Sequence, residues 1–223
     1  MCGRFYLDTR AEALAATLGL SSLPELRPRF NIAPSQPILA AVASEEGRVG
    51  RWFRWGLIPA WAKDAKIGYR TLNARAETVA TQPAFRAAFR RRRCLIPVSG
   101  YFGWRAEASG KQPYCIQPAD APLLVFAGLY EHWQDPQGEG IDSRTILVTD
   151  AAPSVAAIHD RMPLCLAPAQ FATWLDPAIQ DPAPLLALID AATAPALSAY
   201  PVTRHMNNPR YDQPDAITPL TDL

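Results

Sequence analysis

Lysine is scarce in this chain, with only Lys63, Lys66 and Lys111 among 223 residues. Chemistry that needs a lysine amine therefore has three candidates, all in segments that read as loops. Histidine is equally sparse, at His132, His159 and His205. The four cysteines, Cys2, Cys94, Cys115 and Cys165, show no paired metal-ligand spacing, so a zinc framework is excluded and no metal, cofactor or disulfide is expected. Cys94, Cys115 and Cys165 lie in short apolar runs and read as buried free thiols, which suits a reducing compartment. No apolar run approaches the length of a membrane span. Arg4, Asp8 and Arg10 interrupt the N-terminal stretch that a secretory signal would require.

What is present describes an ordinary globular protein, 49% hydrophobic and 19% charged. That is enough apolar material to bury a sizeable core, and one domain over residues 1–223 is expected. The formal net charge of +1 hides a strong asymmetry. Residues 1–111 hold 18 basic against 8 acidic side chains, whereas residues 112–223 hold 4 against 13. Segregation of this kind builds a basic face suited to phosphates while the molecule stays near neutral. The run Arg90-Arg91-Arg92-Arg93 equally suits a helix C-terminus, where cations are favoured.

Thr9 and Glu12 read as a capping box that opens a helix ending at Gly19. Strands are expected over residues 37–43 and 51–56, joined by the polar turn Glu45-Glu46-Gly47. Residues 59–72 read as a polar loop. A short helical region is expected from Asn73 to Glu77 and a helix from Ala84 to Arg92. Strands then dominate at 94–98, 101–105, 114–116, 123–130 and 143–149. A helical segment over 155–158, a strand over 162–166, two or three short helices after Pro168 and a last strand over 200–203 complete the order. Strands and helices interleave without regular βαβ alternation. This predicts an α+β fold with a curved, mostly antiparallel, barrel-like sheet flanked by short helices.

The most informative residue is Cys2. Removal of Met1 before so small a side chain leaves a free α-amine and a thiol on adjacent carbons. An α-amine titrates near 7.7–8.0, far below a lysine, so roughly a tenth is neutral at pH 7. Such an amine attacks aldehydes, and the neighbouring thiol can close a five-membered thiazolidine ring on the imine carbon. Six blocks, the first of them around Cys2 itself, frame this chemistry: Cys2-Gly3-Arg4-Phe5, Arg29-Phe30-Asn31-Ile32-Ala33-Pro34, Trp55-Gly56-Leu57-Ile58-Pro59, Asn73-Ala74-Arg75-Ala76-Glu77-Thr78, Arg93-Cys94-Leu95-Ile96-Pro97 and Ile158-His159-Asp160-Arg161-Met162-Pro163. In order and spacing the chain resembles the SRAP domain family, SOS response-associated peptidase-like proteins that shield abasic sites in single-stranded DNA.

The resemblance implies covalent capture of the abasic aldehyde by Cys2, with weak AP lyase activity, by a cytoplasmic monomer that is nucleoid-associated when bound to DNA. It implies proton transfer by His159 and positioning by Asn73, for which an N-cap role is the alternative. Arg4, Arg75 and Arg161 become candidate phosphate contacts, Arg4 or Arg75 candidate activators of the thiol, and loop-borne Trp61 a candidate stacking surface. Trp55 and Trp104 read as core. In one place the chain departs from the family, which carries a glutamate where Gly100-Tyr101-Phe102-Gly103-Trp104 has Gly103, with Glu107 too distant to replace it. Two other readings remain open: a cysteine-type peptidase or autopeptidase using Cys2 and His159, and a non-catalytic module that binds single-stranded DNA.

Overall fold

The apolar stretch Pro37–Ser44 and the fully buried run Arg93–Val98 need a shared interior. In the structure, a computed structural model in which residues 2–220 are described, they line a closed barrel. The strands in chain order are β1 (Phe5–Leu7), β2 (Leu20–Ser22), β3 (Arg29–Ile32), β4 (Pro37–Ser44), β5 (Gly47–Trp55), β6 (Asn73–Arg75), β7 (Arg93–Val98), β8 (Gly100–Glu107), β9 (Gly110–Pro118), β10 (Leu124–Gln134), β11 (Gly140–Asp150), β12 (Arg161–Pro163) and β13 (Leu197–Pro201). The helices are short: α1 (Ala11–Leu18), α2 (Arg86–Arg91), α3 (Phe171–Leu175) and α4 (Pro182–Asp190).

Antiparallel pairing runs β5-β4-β7-β10-β11, and a parallel contact of β11 with β5, Ser143 opposite Arg54 and Arg144 opposite Trp55, closes the ring. Strands β2, β6 and β12 extend its edges. A second sheet, ordered β13-β9-β8-β1-β3, packs against the barrel, and one continuous core joins them. Phe5 of β1 meets Trp55 at a ring-centroid distance of 5.1 Å, so the N-terminal strand is held against the barrel's closing seam. At that seam Gly56 takes φ 123°, and a Cβ there would lie 2.4 Å from the Gly68 carbonyl oxygen, so only glycine fits. The expected α+β fold with its curved, mostly antiparallel barrel is the observed one.

Several local expectations are corrected. Helix α1 does end at Gly19 in the left-handed conformation, but its N-cap is Arg10 without a side-chain bond. Thr9 is diverted to a 3.0 Å hydrogen bond with the Ser99 hydroxyl. Asn73 opens no helix: residues 73–75 form β6, laid parallel on β11 with Asn73 opposite Ile146. The 155–158 segment forms hydrogen-bonded turns rather than a helix, with the Ile158 N–H donating to Val155 O at 2.9 Å. The last strand begins earlier than expected, at Leu197. In the arginine run, Arg93 is buried and donates to the carbonyls of Phe89, Trp174 and Asp176, satisfying the ends of α2 and α3. Arg92 pairs with the buried Glu131 at 2.6 Å. Met1 lies outside the described residues.

The block Arg29-Phe30-Asn31 docks the chain's C-terminal segment. Buried Asn31 donates through Nδ2 to the carbonyls of Met206, Asn208 and Tyr211. The Asp212 carboxylate accepts from the Phe30 and Asn31 amides and pairs with Arg29. Met206 and Ala216 thereby cover Tyr6 and Phe102 in a small second core.

Arg144 is the costly residue of the barrel. It is fully buried, no oxygen acceptor meets its guanidinium among the described residues, and burial pulls its pKa down to about 9, opposed only by the nearby Cys94 thiol, a weak acceptor. A buried cation without acceptors destabilises a fold, and an apolar side chain of similar length removes that penalty. Arg144→Met is therefore expected to stabilise the protein by about 1–3 kcal/mol. Thermal denaturation checks this, and a lowered midpoint would show that the guanidinium contributes stability after all.

Candidate active site

The N-terminal segment enters the molecule as an extended chain and ends in β1, which pairs on one side with β3 and on the other with β8. This places Cys2 in the interior, 3% exposed, at the junction of the two sheets. It lines a small pocket with Tyr101, Phe102 and Gly103 of β8, Ile116 of β9, Val155 and His159 of the loop after β11, and Arg161 at the start of β12. Residues distant in sequence meet because β8 carries its Gly100-Tyr101 pair directly beside Phe5 and Tyr6.

The Cys2 thiol contacts its neighbour's carbonyl, Arg4 O, at 3.7 Å. Burial pushes it up to about 12. Neither Arg4 nor Arg75 overcomes that desolvation, so the expected activation by a nearby arginine is not observed. Arg4 is otherwise engaged: its guanidinium donates to Asn31 Oδ1 at 3.1 Å, Met206 O at 2.8 Å and Asn207 O at 3.2 Å. It clamps the C-terminal segment onto the N-terminal strand.

Asn73 donates from Nδ2 to Cys2 O at 2.8 Å and so fixes the backbone of the residue that carries the thiol. The N-cap alternative is thereby set aside. Its Oδ1 is buried with no donor among the described residues.

His159 lies in the same pocket, about one third exposed. Burial, the largest influence, lowers its pKa from the ordinary imidazole value, and the Asp160 carboxylate acts in the opposite sense. Its Nδ1 faces two partners, the Arg161 N–H at 3.0 Å and Asp160 Oδ1 at 2.7 Å. The amide needs an unprotonated Nδ1 and the carboxylate needs a protonated one, so the ring can hold its proton on either nitrogen with a partner ready. Adjacent side chains point apart in a strand, but residues 159 and 160 lie in a bend outside any strand, and this lets Asp160 reach the ring.

Of the candidate phosphate contacts, Arg161 lines the pocket but is paired with Glu77 and with Asp150 at 3.3 Å. Partial burial acts to raise the pKa of Glu77, yet the hydrogen bond from Arg161 holds its carboxyl below the usual range. Arg75 is exposed on β6, two residues from Asn73 and hence on the same strand face, and makes no ion pair among the described residues. Trp61 is 61% exposed and stands apart from the Cys2 pocket, with its indole N–H directed at Pro83 O (3.4 Å). It shares a separate open groove with Lys63, Lys66 and Arg70. Trp55 is core, as expected, and donates to Leu72 O. Trp104 is half-buried and bonds Asn207 Oδ1.

No carboxylate lines the pocket among the described residues. Glu107 is bound to Arg105 at 2.6 Å. Space at Gly103 is taken by the loop opposite, since a Cβ there would lie 2.8 Å from Ile158 Cγ2. Among the described residues no group of three or more His, Cys, Asp or Glu could hold a metal ion, and no helix is long and apolar enough to cross a membrane. The pocket member that sequence reasoning missed is Tyr101, which its apolar neighbours disguise as core.

Comparison with known proteins places this geometry in context. Residues 1–209 match the family described as SOS response associated peptidase (SRAP). The chain is 39% identical over 222 residues to the abasic site processing protein YoqW of Bacillus subtilis (strain 168), covering 97% of this chain and 99% of that protein. It is 30% identical over 226 residues to the abasic site processing protein HMCES of Gallus gallus, covering 87% of this chain and 67% of the relative. A crystal structure of a protein from Bacteroides thetaiotaomicron superposes with a TM-score of 0.83 at 27% identity, covering 98% of this chain and all of the other.

All four cysteines are free and buried. Native protein is therefore expected to resist the thiol reagent DTNB at pH 8 and to release four equivalents per chain in denaturant. A single thiol reacting within seconds in the native state would show that Cys2 is not enclosed.

Proposed function

The chain belongs to the SOS response associated peptidase family, and on that premise we propose that it processes abasic sites in DNA by capturing them covalently. The substrate is single-stranded DNA carrying an open-chain abasic deoxyribose, held by a monomer. The nucleophiles are the α-amine and thiol of Cys2 after Met1 is removed. The observation that carries this reading is the enclosed position of Cys2, its carbonyl fixed by Asn73 and its pocket shared with His159 and Arg161.

Burial decides the order of events. Burial holds the thiol protonated at neutral pH. The amine, roughly a tenth of it neutral at that pH, reacts first. Its lone pair forms the N–C1′ bond, the carbonyl pair moves to oxygen, and loss of water gives an iminium. That new positive charge beside the thiol favours its ionisation, and sulphur closes the ring on C1′ as the iminium becomes a secondary amine. His159 takes and returns the protons. A peptidase that uses Cys2 needs a ready thiolate, which this enclosure opposes.

Arg75 is the best-placed phosphate contact, being exposed and making no ion pair among the described residues. Arg161 exchanges Glu77 and Asp150 for a phosphate. Arg4 acts by keeping the N-terminal strand docked, and Trp61 stacks a base outside the pocket. Without a carboxylate in the pocket, elimination and strand cleavage are weak. Gly103→Glu on its own collides with Ile158, so restoring the carboxylate is expected to require Ile158→Ala in the same chain. The double variant should crosslink faster than Ile158→Ala alone, and equal rates would show that the carboxylate is not what limits capture.

A single-stranded oligonucleotide with one abasic site, mixed with protein and run on a denaturing gel, tests the central claim. A shifted band is expected for the wild type and none for Cys2→Ala or for intact DNA. Because the His159 pKa is lowered, the base form persists through neutral pH. The pH dependence is therefore set by the amine: the rate should fall below about pH 8, by roughly tenfold per pH unit, as the amine is protonated. No band from protein shown by mass to start at Cys2 would remove the capture reading.

A further inference from the structure

Beside Cys2 the fold keeps two buried polar atoms that no group among the described residues satisfies, Asn73 Oδ1 and the Tyr101 hydroxyl. The second is the more telling. Tyr101 is 3% exposed, and its ring stands edge-on to Phe126 at a centroid distance of 5.9 Å. Its backbone is fixed on both sides, by Phe5 across β1 and by Ile116 across β9. The side chain therefore cannot swing its hydroxyl to solvent. A phenylalanine would fill the same space without burying an unpartnered hydroxyl, an arrangement that costs folding free energy. Buried polar groups left unsatisfied in this way mark places where something else supplies the partner.

Tyr101 lines the pocket that holds Cys2, His159 and Arg161 and, among the described residues, no carboxylate, and its phenol is close enough to Cys2 to feel the thiol's charge. Its surroundings keep the phenol protonated: burial, then the nearby Cys165 and Cys2 sulphurs, raise its pKa well above the ordinary value. It can thus donate a hydrogen bond but not surrender its proton.

We propose that Tyr101 is a catalytic hydrogen-bond donor for the capture reaction, its hydroxyl satisfied by the sugar oxygen at C1′. This rests on the reading of Cys2 as the nucleophile and assigns the oxygen-binding role within that site. When the Cys2 amine forms its bond to C1′, the carbonyl electron pair moves to oxygen, and negative charge develops where Tyr101 O–H can meet it. The amine passes a proton to His159, the oxygen gains protons and leaves as water, and the sulphur then bonds to C1′ with loss of the thiol proton. Tyr101 keeps its proton throughout. Donation to the departing oxygen offers the capture step electrostatic help that does not depend on a carboxylate at position 103.

The test is Tyr101→Phe in the full chain, with the mass confirming that Met1 is gone. Three quantities are measured: the single-turnover crosslinking rate at saturating abasic oligonucleotide, the Kd for the intact strand, and the thermal midpoint. The expected result is a rate reduced on the order of 100-fold, an unchanged Kd, and a midpoint equal to or above that of the wild type. A wild-type rate would overturn the assignment. So would a slower reaction accompanied by a lowered midpoint, which would make the hydroxyl structural, or a loss confined to Kd. Wild-type protein that forms no crosslink would instead remove the reading of Cys2 on which the assignment stands, whereas equal crosslinking by both proteins removes only Tyr101.

Discussion

Enclosure of the N-terminal strand is the constraint on which this structure turns. Strand β1 is only three residues long, yet it is the strand that joins β3 to β8 and sets Phe5 against the Trp55 seam of the barrel. Pulling it in takes Cys2 with it. A thiol in that position cannot ionise cheaply, because water is gone and the N-terminal ammonium offsets only part of that loss. The site therefore has no standing nucleophilic sulphur. In the capture we propose, charge is generated by the substrate, through an iminium formed on the same residue. An aminothiol on one residue suits that sequence of events in a way that a cysteine paired with a remote base does not.

The same constraint explains why residues that look like ligands turn out to be structural. A strand of three residues makes few ladder bonds, so something else must keep it from fraying. Arg4 does so by reaching across to the Met206 and Asn207 carbonyls, and Asn31 of the neighbouring strand fixes that C-terminal segment through its side chain and through its amide, which donates to Asp212. The C-terminal segment in effect straps the N-terminus. Arginine suits the purpose because one planar fork can serve three acceptors at once. Its cost is that few donors remain for phosphate, which leaves Arg75 and the groove around Trp61 as the more available basic surface.

Strands were legible in the sequence wherever apolar and polar residues alternate or an apolar run is bounded by turns, as in β4, β7, β10 and β11. The helix stop at Gly19 was legible because its left-handed geometry depends on a local residue type. What stayed hidden depended on partners far along the chain. Thr9 has a good capping pattern, but Ser99, brought alongside by β8, competes for its hydroxyl. Asn73 and the residues after it read as a helix opening by propensity, yet an open edge of β11 captures them as a strand, a tertiary override of local preference. Cys2, Asn73 and His159 were identifiable as a group only through resemblance, since nothing in their spacing brings them together. Tyr101 gave no signal at all: a tyrosine between glycine and phenylalanine looks like packing, and only the missing partner of its hydroxyl distinguishes it.

Gly103 and Ile158 show how far such a pocket can drift without losing its outline. The glycine and the isoleucine face one another across the cavity at a distance that leaves no room for another carbon. Ile158 immediately precedes His159, so the side chain that occupies this space belongs to the same turn that presents the imidazole. A bulkier residue at 103 would press on that turn and change how His159 meets the Arg161 amide and Asp160. The absence of a carboxylate and the placement of the histidine are therefore one packing decision. In the capture we propose, proton movement rests on an imidazole whose Nδ1 can accept from the Arg161 amide or donate to Asp160, set against a sulphur kept neutral by burial.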